Sequence, residues 1–412
     1  MTATRMGLLG RFATLTAALG LFLLAASLLW RTEVPADLRV PRLDVRAEFS
    51  AAELRETAGY ARVLRWLWAI SALAQLSALA LLALAAPRLA ARLRGGALVR
   101  GVALLALALV TLWLARLPFG LAGHWWRRRH GISRQGYADW LTAPWLELLA
   151  GALAAAVALL VAMLLARRLG GRWWIAGAPL LAVLGAAVVL VQPLVLAPRL
   201  DPLDDPRLTA EIRALARIEG AGSIDVEVKD AHTRTTTANA EVAGIGPTRR
   251  VVLWDTLLDG RFPRAEIRFV AAHELAHVAR RHLWKGLAWF CLLTLPCAFA
   301  VARTAELRGG LAEPAAVPLA ALAVVSLQLA LLPFANVVSR RYEAEADWVA
   351  LGATRDPASA RSLLRRFSAT SLAQPEPPAW SYVLRSTHPS LLERMAMADA
   401  WATREGGSRG GS

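Results

Sequence analysis

Seven long apolar runs constrain the fold of this chain more than any other feature. A transmembrane helix needs about 20 mostly apolar residues in succession, and several runs begin or end on tryptophan, which is typical of the lipid–water interface. The runs are Phe12–Trp30, Trp66–Ala86, Ala97–Ala115, Trp145–Ala166, Trp173–Leu196, Trp284–Ala302 and Val317–Ala335. We therefore predict a mainly α-helical, multi-pass membrane protein with about seven transmembrane helices.

The first run has a second interpretation, a cleaved signal peptide with Arg5 and Arg11 in its basic segment. Its apolar stretch is longer than the usual signal core of roughly 7–15 residues, and no small-residue cleavage site follows it. We therefore expect this helix to be retained in the membrane.

The formal charge of +16 comes from arginine, because the chain contains only two lysines, Lys229 and Lys285. The arginines lie mainly between the apolar runs, as they do in membrane loops. No basic segment is interleaved with aromatic residues that could stack on bases, so the partner indicated is the lipid bilayer and not nucleic acid. Basic residues next to the spans favour a cytoplasmic position for the polar regions, in the cell (inner) membrane.

Two polar regions lie outside the apolar runs, Pro198–His282 and Ser339–Ser412. We divide the chain into an N-terminal membrane domain with five spans (1–200), a second domain with two further spans (201–400) and a tail (401–412). The Gly/Ser-rich end of the chain predicts disorder. The proline-rich, acidic segment APRLDPLDDPRL at 197–208 is typical of a linker.

The polar region before the sixth run contains the motif H-E-x-x-H, formed by His273, Glu274 and His277. On a helix, positions i and i+4 are only about 40° apart, so both imidazoles can bind one zinc ion. The glutamate between them is then placed to take a proton from zinc-bound water. The alternative is an ordinary helix that carries these residues for other reasons. We predict that the helix begins near Pro263 and continues to His282.

A catalytic zinc usually has three protein ligands and one open position. His282 falls about 140° around the predicted helix from His277, so we expect it to face away. Glu343 and Asp347 are again spaced i and i+4, so Glu343 can complete the site while Asp347 accepts the free N–H of a ligand histidine. Glu345 lies on another face and is expected to be a solvated charge. A merely charged helix face is the alternative for this acidic pair.

The segment upstream of the motif predicts β structure, with short strands at Val242 and Val251–Trp254 joined by a Gly/Pro turn. An edge strand beside the helix could hold an extended peptide by backbone pairing. A purely structural hairpin is the alternative, and it does not exclude that role.

These elements together resemble the type I CAAX prenyl protease family. The matching segments are NAEVAG, VVLWDTLL, HELAH, SRRYEAEAD and STHPSLLER, in the family's order, over about Asp201–Met397. The resemblance implies a small α+β zincin-like catalytic domain and a large intramembrane chamber with the zinc site at its cytosolic end. It implies one Zn²⁺ per chain.

The resemblance also implies roles for individual residues. It makes His273, His277 and Glu343 the zinc ligands, Glu274 the general base, Asp347 a second acid of the catalytic site and Asn239 a substrate-contacting residue. His388 and Arg394 match the family's late element. A cationic or donating group there could stabilise the oxyanion of the tetrahedral intermediate, and packing at a helix start is the equal alternative.

The function implied is that of a zinc metalloendopeptidase acting on membrane-associated or prenylated, CAAX-like peptides and proteins. The arginine-rich, lysine-poor composition suggests a bacterial protein, and bacteria have little use for CAAX processing. A quality-control protease that resembles the heat-shock membrane metalloproteases is therefore an alternative. A catalytically inactive zinc-binding receptor or transporter is a third, although a structural zinc site would not need Glu274.

Two other zinc protease classes fit less well. An intramembrane site-2 protease would need the motif within a span, whereas the helix here is flanked by charged residues such as Glu266 and Arg281. The metzincin extension fails because Arg280 and Leu283 occupy the positions that require glycine and histidine.

Overall fold

The computed structural model describes residues 2–195, 200–244 and 246–409. The helices of the N-terminal half are α1 (Thr2–Trp30), α2 (Val45–Glu48), α3 (Ala51–Arg92), α4 (Ala97–Arg129), α5 (Tyr137–Thr142), α6 (Trp145–Leu169) and α7 (Trp173–Val195). Those of the C-terminal half are α8 (Pro206–Glu219), α9 (Arg264–Ala279), α10 (His282–Glu306), α11 (Val317–Thr354), α12 (Pro357–Ser371), α13 (Ala379–Arg385) and α14 (Leu391–Arg409). The chain is therefore mainly α-helical, as predicted.

Five helical segments of the described residues are long and apolar enough to cross a membrane. One of them, Tyr137–Val191, includes the fourth predicted run and most of the fifth, whose last residue, Leu196, lies outside the described part of the chain. The apolar part of α1, Thr16–Trp30, is shorter than a span. The other four are Ala51–Arg92, Ala97–Arg129, His282–Glu306 and Pro314–Thr354. The multi-pass architecture is confirmed, whereas the count of seven is not.

A small mixed sheet lies in the polar part of the chain. Its strands are β1 (Leu200–Pro202), β2 (Asp225–Lys229), β3 (Ala240–Ala243) and β4 (Arg250–Trp254), in the order β1-β2-β4-β3. β3 pairs antiparallel with β4, with Val242 opposite Val251, so β3 is an edge strand of the described sheet. The predicted hairpin is thus present. Of the segment expected to be a linker, residues 200–208 contribute β1 and the start of α8, and residues 197–199 lie outside the described residues.

The core of the polar part forms between the sheet and helices α8, α9, α11, α12 and α14. α9 supplies its centre, where Phe269, Ala271, Ala272 and Leu275 are at most 2% exposed. These residues recur at helical spacing on the face opposite to solvent, which explains why this segment folds as a buried helix. The metal-motif helix is therefore held rigidly in the core of its domain.

The ends of the chain complete this domain. α14 packs on α12, and Arg361 of α12 binds both Glu48 and Asp399. α14 continues through Arg409, so it includes most of the segment predicted to be a disordered tail; residues 410–412 lie outside the described part. The loop after α4 joins the domain through a β-bridge between Ser133 and Thr235.

Candidate metal centre

The two motif histidines lie on one face of α9, with ring centroids 4.9 Å apart. α9 packs against α11, which carries Glu343 in its second half. Nε2 of His273 is 3.2 Å from Nε2 of His277 and 3.1 Å from Oε2 of Glu343. Nε2 of His277 is 3.7 Å from the other carboxylate oxygen, Oε1 of Glu343. Ligand atoms around a tetrahedral zinc with bonds of about 2.0–2.1 Å are separated by roughly 3.3 Å. The three side chains therefore fit a zinc ion.

Asp347 lies one turn beyond Glu343 on α11 and bonds the other side of the His273 ring. Its Oδ1 is 2.9 Å from Nδ1 of His273, and both atoms are buried. Because an ionised carboxylate only accepts hydrogen bonds, this bond places a hydrogen on Nδ1 and makes Nε2, which faces the other ligand atoms, the nitrogen that is available to a metal. This geometry matches the prediction that Asp347 accepts the free N–H of a ligand histidine.

The electrostatics around His273 favour positive charge. Burial of the ring acts to lower the pKa of His273, but hydrogen bonds to Asp347 and Glu343 outweigh that effect and raise the pKa to about 10. A pocket in which two carboxylates stabilise a proton on an imidazole also suits a divalent cation. This is a second observation in favour of a metal site.

Glu274 follows His273 on α9 and is half-buried. Among the described residues, no side chain or backbone group forms a hydrogen bond with its carboxylate. Burial raises the pKa of Glu274 above the ordinary value for glutamate. A carboxylate that is free of partners and has a raised pKa is a stronger base than an exposed one. Its chemistry therefore suits proton transfer.

His388 and Arg394, the two predicted site residues of the segment STHPSLLER, have different positions in the site. Nε2 of His388 lies 3.1 Å from Oε2 of Glu343, and the ring is 54% exposed, so it borders the open side of the site. Arg394 of α14 instead donates from Nε and Nη2 to the two oxygens of Asp347, at 2.7 Å each. The guanidinium thus holds the carboxylate behind His273, and of the two residues it is His388 that adjoins a predicted ligand.

His282 does not face away from the site, so that prediction was wrong. Its Nδ1 lies 2.8 Å from Nδ1 of His277. The reason is that α9 ends at Ala279 and Arg281 adopts a left-handed conformation (φ 57°), which breaks the helix and turns the next residue back. A helical projection across that break does not apply.

Glu345 was also predicted wrongly as a solvated charge, since it is only 1% exposed. Its Oε2 is 2.9 Å from Nε2 of His282 and 3.1 Å from Nζ of Lys285, and its Oε1 accepts a hydrogen bond from the backbone N–H of Glu33. The sequence indicated a role for His282 and Glu345 only through their positions beside the two motifs.

Asn239 lies immediately before the edge strand β3, and its side chain is exposed. Its carbonyl accepts a hydrogen bond from the backbone N–H of Trp254, so Asn239 and Trp254 extend the β3–β4 ladder by one pair. β3 packs directly on α9. The structure thus places a free strand edge beside the metal helix, as the sequence analysis proposed.

A cavity of about 830 Å³ lies among α3, α4, α6 and α11. Its walls combine aromatic residues such as Trp68 and Trp113 with the arginines Arg116, Arg127, Arg234 and Arg385. Arg385 ends α13, three residues before His388. The cavity therefore lies mainly between helices that could span the membrane.

Residues 202–402 match the family model of peptidase family M48, a segment that contains every predicted site residue. The chain is 29% identical over 306 residues to "Uncharacterized metalloprotease YhfN" of Bacillus subtilis (strain 168), covering 71% of each protein. It is 28% identical over 249 residues to "CAAX prenyl protease 1 homolog" of Oryza sativa subsp. japonica, covering 56% of this chain and 58% of the relative.

The architecture also matches a solved structure, the crystal structure of S. mikatae Ste24p. The TM-score is 0.72 with 18% sequence identity, and the alignment covers 93% of this chain and 97% of the other. At this level of identity the match establishes the fold alone.

Proposed function

We propose that this chain, whose residues 202–402 match peptidase family M48, is a membrane metalloprotease that uses zinc to cleave membrane-associated peptides and proteins. One observation carries this proposal. Nε2 of His273, Nε2 of His277 and the carboxylate of Glu343 lie 3.1 to 3.7 Å from one another, beside the carboxylate of Glu274, which has no hydrogen-bond partner among the described residues.

His273, His277 and Glu343 would hold one zinc ion, and β3 would present the substrate. When bound, zinc supplies a Lewis acid and lowers the pKa of a water molecule. Glu274 would take a proton from the attacking water and pass it to the amine that leaves when the peptide bond breaks. The edge of β3 pairs with the extended substrate backbone, and Asn239 at its start contacts the substrate.

The remaining site residues orient or stabilise. Asp347, held by Arg394, keeps His273 in the tautomer whose Nε2 can bind metal. His388 is positioned on the open side of Glu343 to donate a hydrogen bond to the oxygen that becomes negative in the transition state. The two polar regions that carry these residues flank α10 and the apolar part of α11, which supports a site at the membrane surface. The basic residues next to the spans favour its cytoplasmic side.

The substrate class is a finer part of the proposal. The printed names of the plant relatives support prenylated, CAAX-like peptides, and the cavity between the helices offers apolar and aromatic walls for a lipid-modified chain. Hydrolysis of membrane proteins in quality control is the competing substrate class. A panel containing farnesylated CAAX peptides, the same peptides without the farnesyl group and unfolded membrane proteins separates the two.

The decisive experiment compares purified Glu274→Gln with the wild type on this panel, together with zinc content by elemental analysis. We expect one zinc per chain in both and a loss of about 10²–10⁴-fold or more in kcat/KM for the variant. Equal cleavage by the two proteins, or no cleavage by zinc-loaded wild type, would refute the protease mechanism. His232 lies with Asp230 and Asp255 in an exposed group that could bind adventitious metal, so zinc is also counted in His232→Ala.

A further inference from the structure

A chain of hydrogen bonds leads from one proposed metal ligand to a buried carboxylate on the far side of α11. Nδ1 of His277 lies 2.8 Å from Nδ1 of His282, and Nε2 of His282 lies 2.9 Å from Oε2 of Glu345. His282 is 7% exposed and Glu345 is 1% exposed, so water does not compete for these bonds.

The direction of each bond follows from its acceptor. The Glu345 carboxylate already accepts the N–H of Glu33 and a hydrogen from Lys285, and an ionised carboxylate can only accept. Nε2 of His282 must therefore be its donor. In the neutral ring Nδ1 is then the acceptor, so Nδ1 of His277 carries a hydrogen and donates it. The lone pair of His277 consequently lies on Nε2, the atom that faces His273 and Glu343.

The chain of bonds is built rigidly. The left-handed residue Arg281 fixes the direction from which His282 enters. The ring of His282 stacks on Tyr342 with a centroid distance of 4.8 Å and an interplanar angle of 9°. Glu345 is fixed by three donors, one of which belongs to the segment that follows α1. The relay therefore cannot rotate without breaking several contacts.

We propose that His282 and Glu345 are positioning residues that hold His277 in the tautomer and orientation needed to bind the metal. This inference rests on the proposed zinc site. Asp347 serves His273 directly, whereas Glu345 points from another face of α11 and serves His277 through the intervening ring. Outer hydrogen-bond partners of this kind change metal affinity by about 10–100-fold. One helix thus supplies the carboxylate ligand and the carboxylate partners of both histidine ligands.

Glu345→Gln is the most informative variant because glutamine keeps the shape of the glutamate side chain and can reverse the direction of its hydrogen bond with His282. A glutamine amide can donate to Nε2 of His282, which forces the hydrogen of that ring onto Nδ1 and requires Nδ1 of His277 to accept. The hydrogen of His277 then occupies Nε2, the proposed ligand atom. In His282→Gln, by contrast, the side-chain carbonyl can still accept from His277 and the amide can still donate to Glu345.

The test measures the zinc dissociation constant of the full-length, detergent-solubilised protein by competition with a chelator, and the unfolding midpoint of the metal-free form. We expect zinc binding about 10–100-fold weaker in Glu345→Gln and His282→Ala, a smaller loss in His282→Gln, and recovery of activity in excess zinc. The matched control is Glu266→Gln, a buried carboxylate on α9 bonded to Arg366 and Ser362, which should lower stability but not zinc affinity.

The outcomes separate this inference from the proposed function. If wild type binds no zinc, the proposed metal site itself is wrong. If wild type binds zinc tightly while folded Glu345→Gln and His282→Ala bind it equally tightly, only the positioning role is refuted. A loss of zinc affinity in Glu266→Gln as large as that in Glu345→Gln would also overturn it, because general destabilisation would then explain both.

Discussion

Arg394 and Asp347 form a two-pronged ion pair, with Nε and Nη2 of the arginine each 2.7 Å from a carboxylate oxygen. Asp347 is 3% exposed and also bonds His273, so the pair connects α14 to the proposed metal site. Two parallel N–H donors match a carboxylate in a way that a lysine ammonium cannot. The C-terminal helix is therefore part of the support of the site.

Replacing Arg394 tests this connection. Arg394→Ala leaves a buried carboxylate with only His273 as partner and should cost about 3–5 kcal/mol in the free energy of unfolding. Arg394→Lys should cost less but still weaken zinc binding, because a single point charge does not fix the plane of the carboxylate. Unfolding in detergent and zinc competition measure the two effects, and wild-type values in Arg394→Lys would contradict the need for two-pronged binding.

The two motifs were accessible to sequence reasoning because each lies within one helix. The i, i+4 spacing of His273 and His277 and of Glu343 and Asp347 is a local property, and the helices α9 and α11 are continuous through them. The contact between the two pairs is long-range, and the spacing within each motif does not predict it. It was suggested because a catalytic zinc usually has three protein ligands, and the first motif supplies only two.

The relay through His282 could not be predicted from periodicity. Arginine is uncommon at positive φ, so nothing in the segment ARRHLW indicates that Arg281 ends one helix and begins another. The break decides where His282 points, and His282 in turn gives Glu345 its buried partner. One backbone conformation thus accounts for both errors.

A pH-dependent stability is expected from Glu219, the last residue of α8. Both of its carboxylate oxygens are buried without a hydrogen-bond partner among the described residues, and burial raises its pKa from 4.5 to about 8 although His273 and Arg280 act to lower it. Because the folded state holds the proton more tightly, stability is full below about pH 4.5 and is lost as the pH rises toward 8. Above that pH the loss is at most ~5 kcal/mol, at about 1.4 kcal/mol per pKa unit.

Glu219→Gln removes this titration. The unfolding midpoints of the variant and the wild type should diverge between pH 5 and pH 8.5, with the variant the more stable at the higher value. A difference between the two proteins that is constant across this range would show that Glu219 does not titrate with the raised pKa.

The free edge of β3 yields a prediction about substrate binding. Asn239 bonds β4 through its carbonyl, so by the alternation of antiparallel pairing Val242 directs its N–H away from β4. Val242→Pro removes that donor without removing a ladder bond. We expect an intact fold and a kcat/KM for peptides at least about 10-fold lower, since a single hydrogen bond contributes about 0.5–1.5 kcal/mol and proline also blocks close approach of the substrate.

Glu241→Pro, which removes a bond to β4, should instead destabilise the protein. An unchanged kcat/KM in Val242→Pro would rule out pairing at this edge.

Metal removal should weaken the packing of α9 against α11, because the proposed ligands come from both helices. The ligands are separated in sequence by α10 and most of α11. A ligand that binds only the folded state at about 1,000 times its dissociation constant stabilises it by about 4 kcal/mol. Chelation should therefore lower the unfolding midpoint of the wild type, and added zinc should restore it together with activity. His273→Ala lacks a ligand, so its midpoint should not respond to chelator. If the wild type and His273→Ala respond equally, the metal that is removed does not lie between these helices.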